Sequence, residues 1–118
     1  MVTKSADSYR DMDQAVAASG LDPDAGTRPS LYAAFHSGNA AAIAATALRV
    51  EQVLHEEHVF RFQNLDHLAA YLVTSPKYRL PPHLAVDAGA LAAELRRRLP
   101  DTAITTTSTI TYVVAHRP

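Results

Sequence analysis

From Ile104 to Val114 the chain reads Ile-Thr-Thr-Thr-Ser-Thr-Ile-Thr-Tyr-Val-Val. β-Branched and aromatic side chains dominate this run, and it holds neither glycine nor proline. Such residues lose rotamer freedom in a helix and pack well on a pleated surface, so the segment predicts a strand. Its even positions are Ile104, Thr106, Ser108, Ile110, Tyr112 and Val114; its odd positions are Thr105, Thr107, Thr109, Thr111 and Val113. One face is moderately apolar and the other is rich in threonine. A strand this long carries a row of backbone donors and acceptors that must be paired or shielded.

The rest of the chain offers little to pair with it. A helix is predicted from about Ser8 to Ser19, with Ser8 as its N-cap, Tyr9, Met12 and Val16 on one face, and Gly20 as a stop. Residues 21–26 read as a turn. Pro29 at a first helical position predicts a short helix carrying Leu31, Tyr32 and Phe35. Asn39 then caps another helix to about Arg49, the two making a helical hairpin. Val59-Phe60-Arg61-Phe62 favours a strand. Asn64 caps a helix striped by Leu65, Leu68, Ala69 and Leu72, which ends at Thr74-Ser75-Pro76. A proline-bounded segment, residues 76–82, follows. Asp87 caps a last helix with Leu91, Leu95 and Leu99 on one face. Arg96, Arg97 and Arg98 fall in its final turn, where cations complement the helix dipole.

The expected fold class is therefore α+β. It is a helix-rich single domain over residues 1–118, helical over 1–49 and strand–helix–helix–strand over 50–118, with a small antiparallel sheet. Two strands per chain make a marginal sheet, so a partner or a second copy is expected to extend it. Thr105, Thr107, Thr109 and Thr111 are the candidate interface residues.

Charge excludes some functions. Eleven Lys+Arg stand against 12 Asp+Glu, a formal net charge of −1. No global attraction to nucleic acid or an acidic membrane surface follows. The chain has no cysteine, which removes disulfides, thiolate metal sites and cysteine nucleophiles. The N-terminal residues are polar and lack a signal-type apolar run, and no segment is long and apolar enough to span a bilayer. The expected location is the cytoplasm.

Most chemistry-bearing residues have ordinary explanations. His55-Glu56-Glu57-His58 is not the helical zinc-protease motif, because its histidines are three apart rather than four. On a strand those two point to opposite faces, so a solvated strand edge is expected and no metal. His67, His83 and His116 are scattered; His36 stands beside Tyr32 and Phe35. Asp66 and Asp87 suit helix starts, and Asp22 and Asp24 a turn. No serine sits in a Gly-x-Ser-x-Gly elbow. The glycines, Gly20, Gly26, Gly38 and Gly89, are too far apart for the Gly-x-Gly turn of a doubly wound nucleotide site.

From about Gly20 to Pro118 the sequence resembles the C-terminal portion of class I S-adenosylmethionine-dependent methyltransferases of actinobacterial small-molecule metabolism. Carrying the resemblance are residues 28–35 (Arg-Pro-Ser-Leu-Tyr-Ala-Ala-Phe), residues 59–72 from Val59 to Leu72, residues 74–81 (Thr-Ser-Pro-Lys-Tyr-Arg-Leu-Pro), residues 98–101 (Arg-Leu-Pro-Asp) and residues 105–115 from Thr105 to Ala115. The resemblance implies that Val59–Phe62 is a penultimate strand at a sheet edge. Ile104–Val114 would be the last strand, antiparallel and normally paired on both sides, and the part before Val50 would cover an acceptor substrate. The family's first strands, its Gly-rich turn and its ribose-binding acid have no counterpart here.

The leading functional expectation is accordingly a truncated methyltransferase-like protein, a non-catalytic accessory subunit of a methyltransferase or of a small-molecule biosynthetic pathway. Its partner would be a methyltransferase-like chain or a second copy. S-adenosylmethionine would bind only if a partner supplied the site. The alternative is a small cyclase or isomerase that reuses the acceptor pocket for an apolar metabolite. Tyr32, Phe35, His36, Tyr71, Lys77, Tyr78 and Arg79 would line that pocket, with His36 or Tyr78 as the acid/base group.

Overall fold

The computed structural model describes every residue of the chain except Leu31. In chain order the elements are β1 (Val2–Lys4), α1 (Arg10–Ser19), α2 (Ala40–Ala45), β2 (Arg49–Phe62), α3 (Leu65–Leu72), α4 (Pro82–Ala85), α5 (Ala88–Arg98) and β3 (Ile104–His116). They make an α+β fold with one small antiparallel sheet, strand order β1-β3-β2. Its residues divide into two compact units. Unit one is Met1–Tyr9, Pro29–Val59 and Thr107–Pro118; unit two is Arg10–Arg28 and Phe60–Thr106.

Unit one is mainly sheet. β1 pairs antiparallel with β3, setting Val2 opposite Tyr112, Thr3 opposite Thr111 and Lys4 opposite Ile110. Loop backbone continues the ladder, with Ser5 N–H donating to Thr109 O at 2.8 Å and Tyr9 N–H to Thr107 O at 2.9 Å. The apolar core is thin. Ala40 and Ala44 of α2 and Val113 of β3 are buried, with Phe35, Val50 and Ala115 packed around them. Much of the remaining burial is polar. Ser8 Oγ donates to Ser5 O at 2.7 Å and lies 2.9 Å from Ser108 Oγ, and the Thr3 hydroxyl donates to Phe35 O at 2.8 Å.

Unit two holds the larger apolar core. Met12 and Val16 of α1, Phe62, four α3 residues (Leu65, Leu68, Ala69 and Leu72), Leu84 of α4, and Leu91, Ala92 and Leu95 of α5 are all buried. α5 packs on α3 and α4. Both caps read from the sequence form: Asn64 Oδ1 accepts from His67 N–H at 2.9 Å, and Asp87 Oδ1 from Ala90 N–H at 3.1 Å. The first turn of α3 gains a second acceptor, Asp101 Oδ1, at 2.9 Å from Leu65 N–H. That bond, with Arg96 beside it, holds the Asp101 carboxyl below the usual carboxylate range. Gly20 stops α1 as expected, at φ +77°, a backbone that side-chain-bearing residues rarely adopt.

Several expectations are corrected. The sheet has three strands rather than two, because the polar N-terminal residues form β1. β3 is the central strand, flanked by β1 and β2 of its own chain, so the open edge expected on Ile104–Val114 is not there. The other strand starts at Arg49 rather than Val59, and takes in His55-Glu56-Glu57-His58. Among the described residues of 29–35 there is turn and bend but no helix; Leu31 lies outside the described residues. The helical hairpin is therefore absent. Ser8 does not cap α1, because its hydroxyl is engaged by Ser5 and Ser108. Asn39 precedes α2 but its side chain makes no cap bond, accepting instead from His36 N–H and donating to Ala34 O. α4 arises inside the proline-bounded segment, where Pro82 sits at the helix start.

Two substitutions in unit two test this packing. Leu68 is fully buried, so Leu68→Ala lowers unfolding free energy by about 2–5 kcal/mol in denaturant titration. The Thr106 hydroxyl is buried with no hydrogen-bond partner among the described residues. Thr106→Val replaces that oxygen by a methyl group and raises stability by about 1 kcal/mol. A loss instead would mean that the hydroxyl has a partner in solution.

Candidate functional site

The densest polar cluster lies in unit two, between α1, the turn that follows it and the loop after α3. Asp13, on α1, receives the Tyr78 phenol at 2.6 Å and the Lys77 ammonium at 2.7 Å. Asp22, buried in the turn, receives Arg28 through both guanidinium nitrogens, at 2.7 and 3.1 Å, and the Arg79 N–H at 2.9 Å. Arg28 also donates to Lys77 O at 3.2 Å. Two carboxylates thus hold three consecutive residues, 77–79, by an ammonium, a phenol and a backbone amide.

The electrostatics fit anchoring. Burial pushes the Asp22 carboxyl up, but the Arg28 fork and the Arg79 N–H outweigh it and hold the group below the usual carboxylate range. Burial, reinforced by the hydrogen bond to Asp13, pushes the Tyr78 phenol far above its ordinary value. Tyr78 therefore keeps its proton and donates it to Asp13. An acid/base group works best with a pKa near the working pH, which is not the condition of Tyr78.

Of the seven expected pocket residues, four belong to unit two. Lys77, Tyr78 and Arg79 join the carboxylate cluster. Tyr71 belongs to an aromatic group with Phe60 and Phe62, its ring centroid 5.4 Å from that of Phe62. Tyr32, Phe35 and His36 belong to unit one. Tyr32 N–H donates to Ser30 Oγ, and Phe35 packs on the small α2 core. His36 is tied into the turn before α2, with its N–H on Asn39 Oδ1 at 2.8 Å and its Nδ1 accepting from Gly38 N–H at 3.0 Å. Gly38 is needed for that closeness, since a Cβ there would meet the imidazole at 3.0 Å.

The expected threonine face does not form as one surface. Thr105 and Thr107 are exposed, Thr109 is half-buried, and Thr111 is fully buried with its hydroxyl 2.8 Å from His55 Nδ1. Burial along β3 changes phase, from Thr106 and Ser108 to Thr111 and Val113.

What the sequence reading missed in unit one is the outer edge of β2. This strand ends the sheet, and among the described residues no loop backbone bonds to Arg49–Val59. Leu54 is 48% exposed and Val59 61%. The intervening His55, Glu56, Glu57 and His58 are exposed too, with His58 Nε2 3.2 Å from Glu56 Oε1. On the inner side, His116 Nδ1 of β3 meets Glu51 at 2.9 Å. Val50 and the Val53-Leu54 pair were the available signal, obscured by the charges beside them.

Among the described residues no group of three or more His, Asp or Glu side chains is arranged to hold a metal ion. No described helix is long and apolar enough to cross a membrane. Compared with known proteins, the chain matches no family model, no curated protein and no solved structure.

The anchoring role of Asp22 has a pH signature. Its folded pKa is depressed, so its contribution is complete above the unfolded carboxylate value near ~3.9 and fades as pH falls through the lower folded value. Asp22→Asn is expected to lower stability by about 1–3 kcal/mol at neutral pH. Thermal melts as a function of pH should show the gap to the parent chain closing below about pH 4. A gap that stays constant down to strong acid would exclude the carboxylate as its source.

Proposed function

We propose that this chain is a non-catalytic accessory protein that works by offering the outer edge of β2 to a partner strand. The observation that carries the reading is the edge of Arg49–Val59, unpaired among the described residues, with Leu54 and Val59 exposed along it. Strand addition to such an edge satisfies many backbone groups at once and takes its specificity from alternate side chains. Unit one also has a physical reason to gain from a partner. Among the described residues its buried apolar core is two alanines and a valine, and a single fully buried valine contributes only about 1.5–3 kcal/mol.

The resemblance to the C-terminal portion of class I methyltransferases assigns the accessory role to a methyltransferase or a small-molecule biosynthetic pathway, in the cytoplasm. That assignment rests on the sequence. It carries the expectation that S-adenosylmethionine is held by another chain, since the Gly-rich turn that cradles it is not among these residues. The cyclase or isomerase alternative gains no observation in its favour, because Tyr78 and His36 are both engaged in holding their own loops.

Edge-dependence is the test. In an extract of the cells that produce it, the chain is expected to migrate well above its own mass. The double variant Leu54→Lys, Val59→Lys should migrate as the free chain, with an unchanged circular dichroism spectrum. Free migration of the parent chain, or assembly that survives the double variant, would sink the proposal. Calorimetric titration of the purified chain with S-adenosylmethionine should give no binding heat. A saturable heat would return the cofactor site to this chain.

A further inference from the structure

Building on that reading of the β2 edge, we infer that the strand which occupies it is β2 of a second copy of this chain, added antiparallel about a two-fold axis at Glu56. Two copies that join edge to edge into one continuous sheet are related by an axis perpendicular to the sheet. That symmetry keeps each side chain on its own face, so a residue pairs only with a residue of the same parity. Few registers are then available, and the residues from Glu51 to Arg61 discriminate among them.

Centring on Glu56 sets Val53 opposite Val59 and His55 opposite Glu57, each pairing occurring twice. Apolar pairs, and a carboxylate opposite an imidazole that can hydrogen-bond to it, each stabilise an antiparallel junction, and directly opposed like charges weaken it. Leu54 then faces His58, an apolar–polar mismatch, and the only like-charge pair is Glu56 against its own copy. Each Glu56 carboxylate already has a histidine of its own strand at 3.2 Å, His58. A centre at His55 instead drives Leu54 against Glu56, Val53 against Glu57 and Glu51 against Val59. A centre at Glu57 opposes the two Glu57 carboxylates and sets His55 against Val59 and Val53 against Arg61; it gains Leu54 against Phe60 and Glu56 against His58, but gives up Val53 against Val59 and the Glu51–Arg61 ion pair that the Glu56 centre also forms. Complementarity therefore selects the Glu56 register.

The exposed surface agrees with this arrangement. Val59 is 61% exposed, and in the paired state it gains Val53 of the other copy. Leu54 points to the face opposite His55, whose ring is held by Thr111. Glu56 and Glu57 also explain why the edge does not pair indiscriminately: charge on an edge strand blocks most registers, and here it leaves one in which the histidines answer the glutamates.

The chain has no cysteine, so one introduced thiol reports on one contact. In the purified Glu56→Cys chain under mild oxidation, the two thiols meet at the axis and a covalent dimer forms. In Leu54→Cys the thiols lie four residues out of register, roughly 13 Å apart, and no link forms. Sedimentation equilibrium of the unmodified chain should give twice the chain mass. Glu56→Gln, which removes the only like-charge pair, should tighten the dimer by roughly two- to five-fold. Val59→Lys should weaken it. A chain that stays monomeric to about millimolar concentration, with Glu56→Cys unlinked, overturns the inference. A dimer that links through Leu54→Cys but not Glu56→Cys overturns it as well. If the purified chain is monomeric yet its assembly in cell extract still depends on the edge, the second copy is wrong and the edge reading stands. If both assemblies are absent, both fail.

Discussion

Backbone pairing along both edges of β3 is the interaction on which unit one depends. Among the described residues its apolar core is too small to order a sheet by burial alone. Order comes from the ladder of β1 on one side, β2 on the other, and loop amides that extend the ladder at Ser5 and Tyr9. Side-chain hydroxyls then fill positions that a larger protein would give to leucine or valine. Ser108, Thr111 and Thr3 are buried because Ser8, His55 and the Phe35 carbonyl are there to meet them. A buried hydroxyl is costly unless it is bonded, so the buried Ser108 and Thr111 of β3 and the polar groups around them require each other.

A central β3 leaves the vulnerability elsewhere. Backbone groups on the outer side of β2 have no partner among the described residues, and the residues there combine apolar surface with glutamate and histidine. Charge on an edge ordinarily protects against pairing. The same charge becomes a selector when a register exists that opposes glutamate to histidine. Protection and recognition then come from the same side chains.

Unit two is built on the opposite balance. Its leucine stripe and aromatic group supply burial, and its polar residues lock loops. Asp13 and Asp22 fasten residues 77–79, and Asp101 closes the first turn of α3. Lys77, Tyr78 and Arg79 look like ligand-binding groups when read alone, being cationic or phenolic and flanked by prolines. In three dimensions the Lys77 ammonium, the Tyr78 phenol and the Arg79 backbone N–H are taken by carboxylates of α1 and the following turn.

Local chemistry determined the parts that the sequence could specify unaided. The Asn64 and Asp87 caps, the Gly20 stop, the leucine stripes of α3 and α5 and the strand at β3 all follow from interactions within a few residues. The class, α+β, follows from them. Tertiary structure alone decided which strand is central, because that turns on Val2–Lys4, a segment with no strand pattern of its own that is held by residues 110–112. It also decided that β2 runs from Arg49 through a charged stretch whose local preference is weak, and that the described residues of 29–35 form no helix despite Pro29. The phase change of burial along β3 has the same origin. Which face of a strand is buried depends on what covers it, and that covering comes from residues far away in the chain.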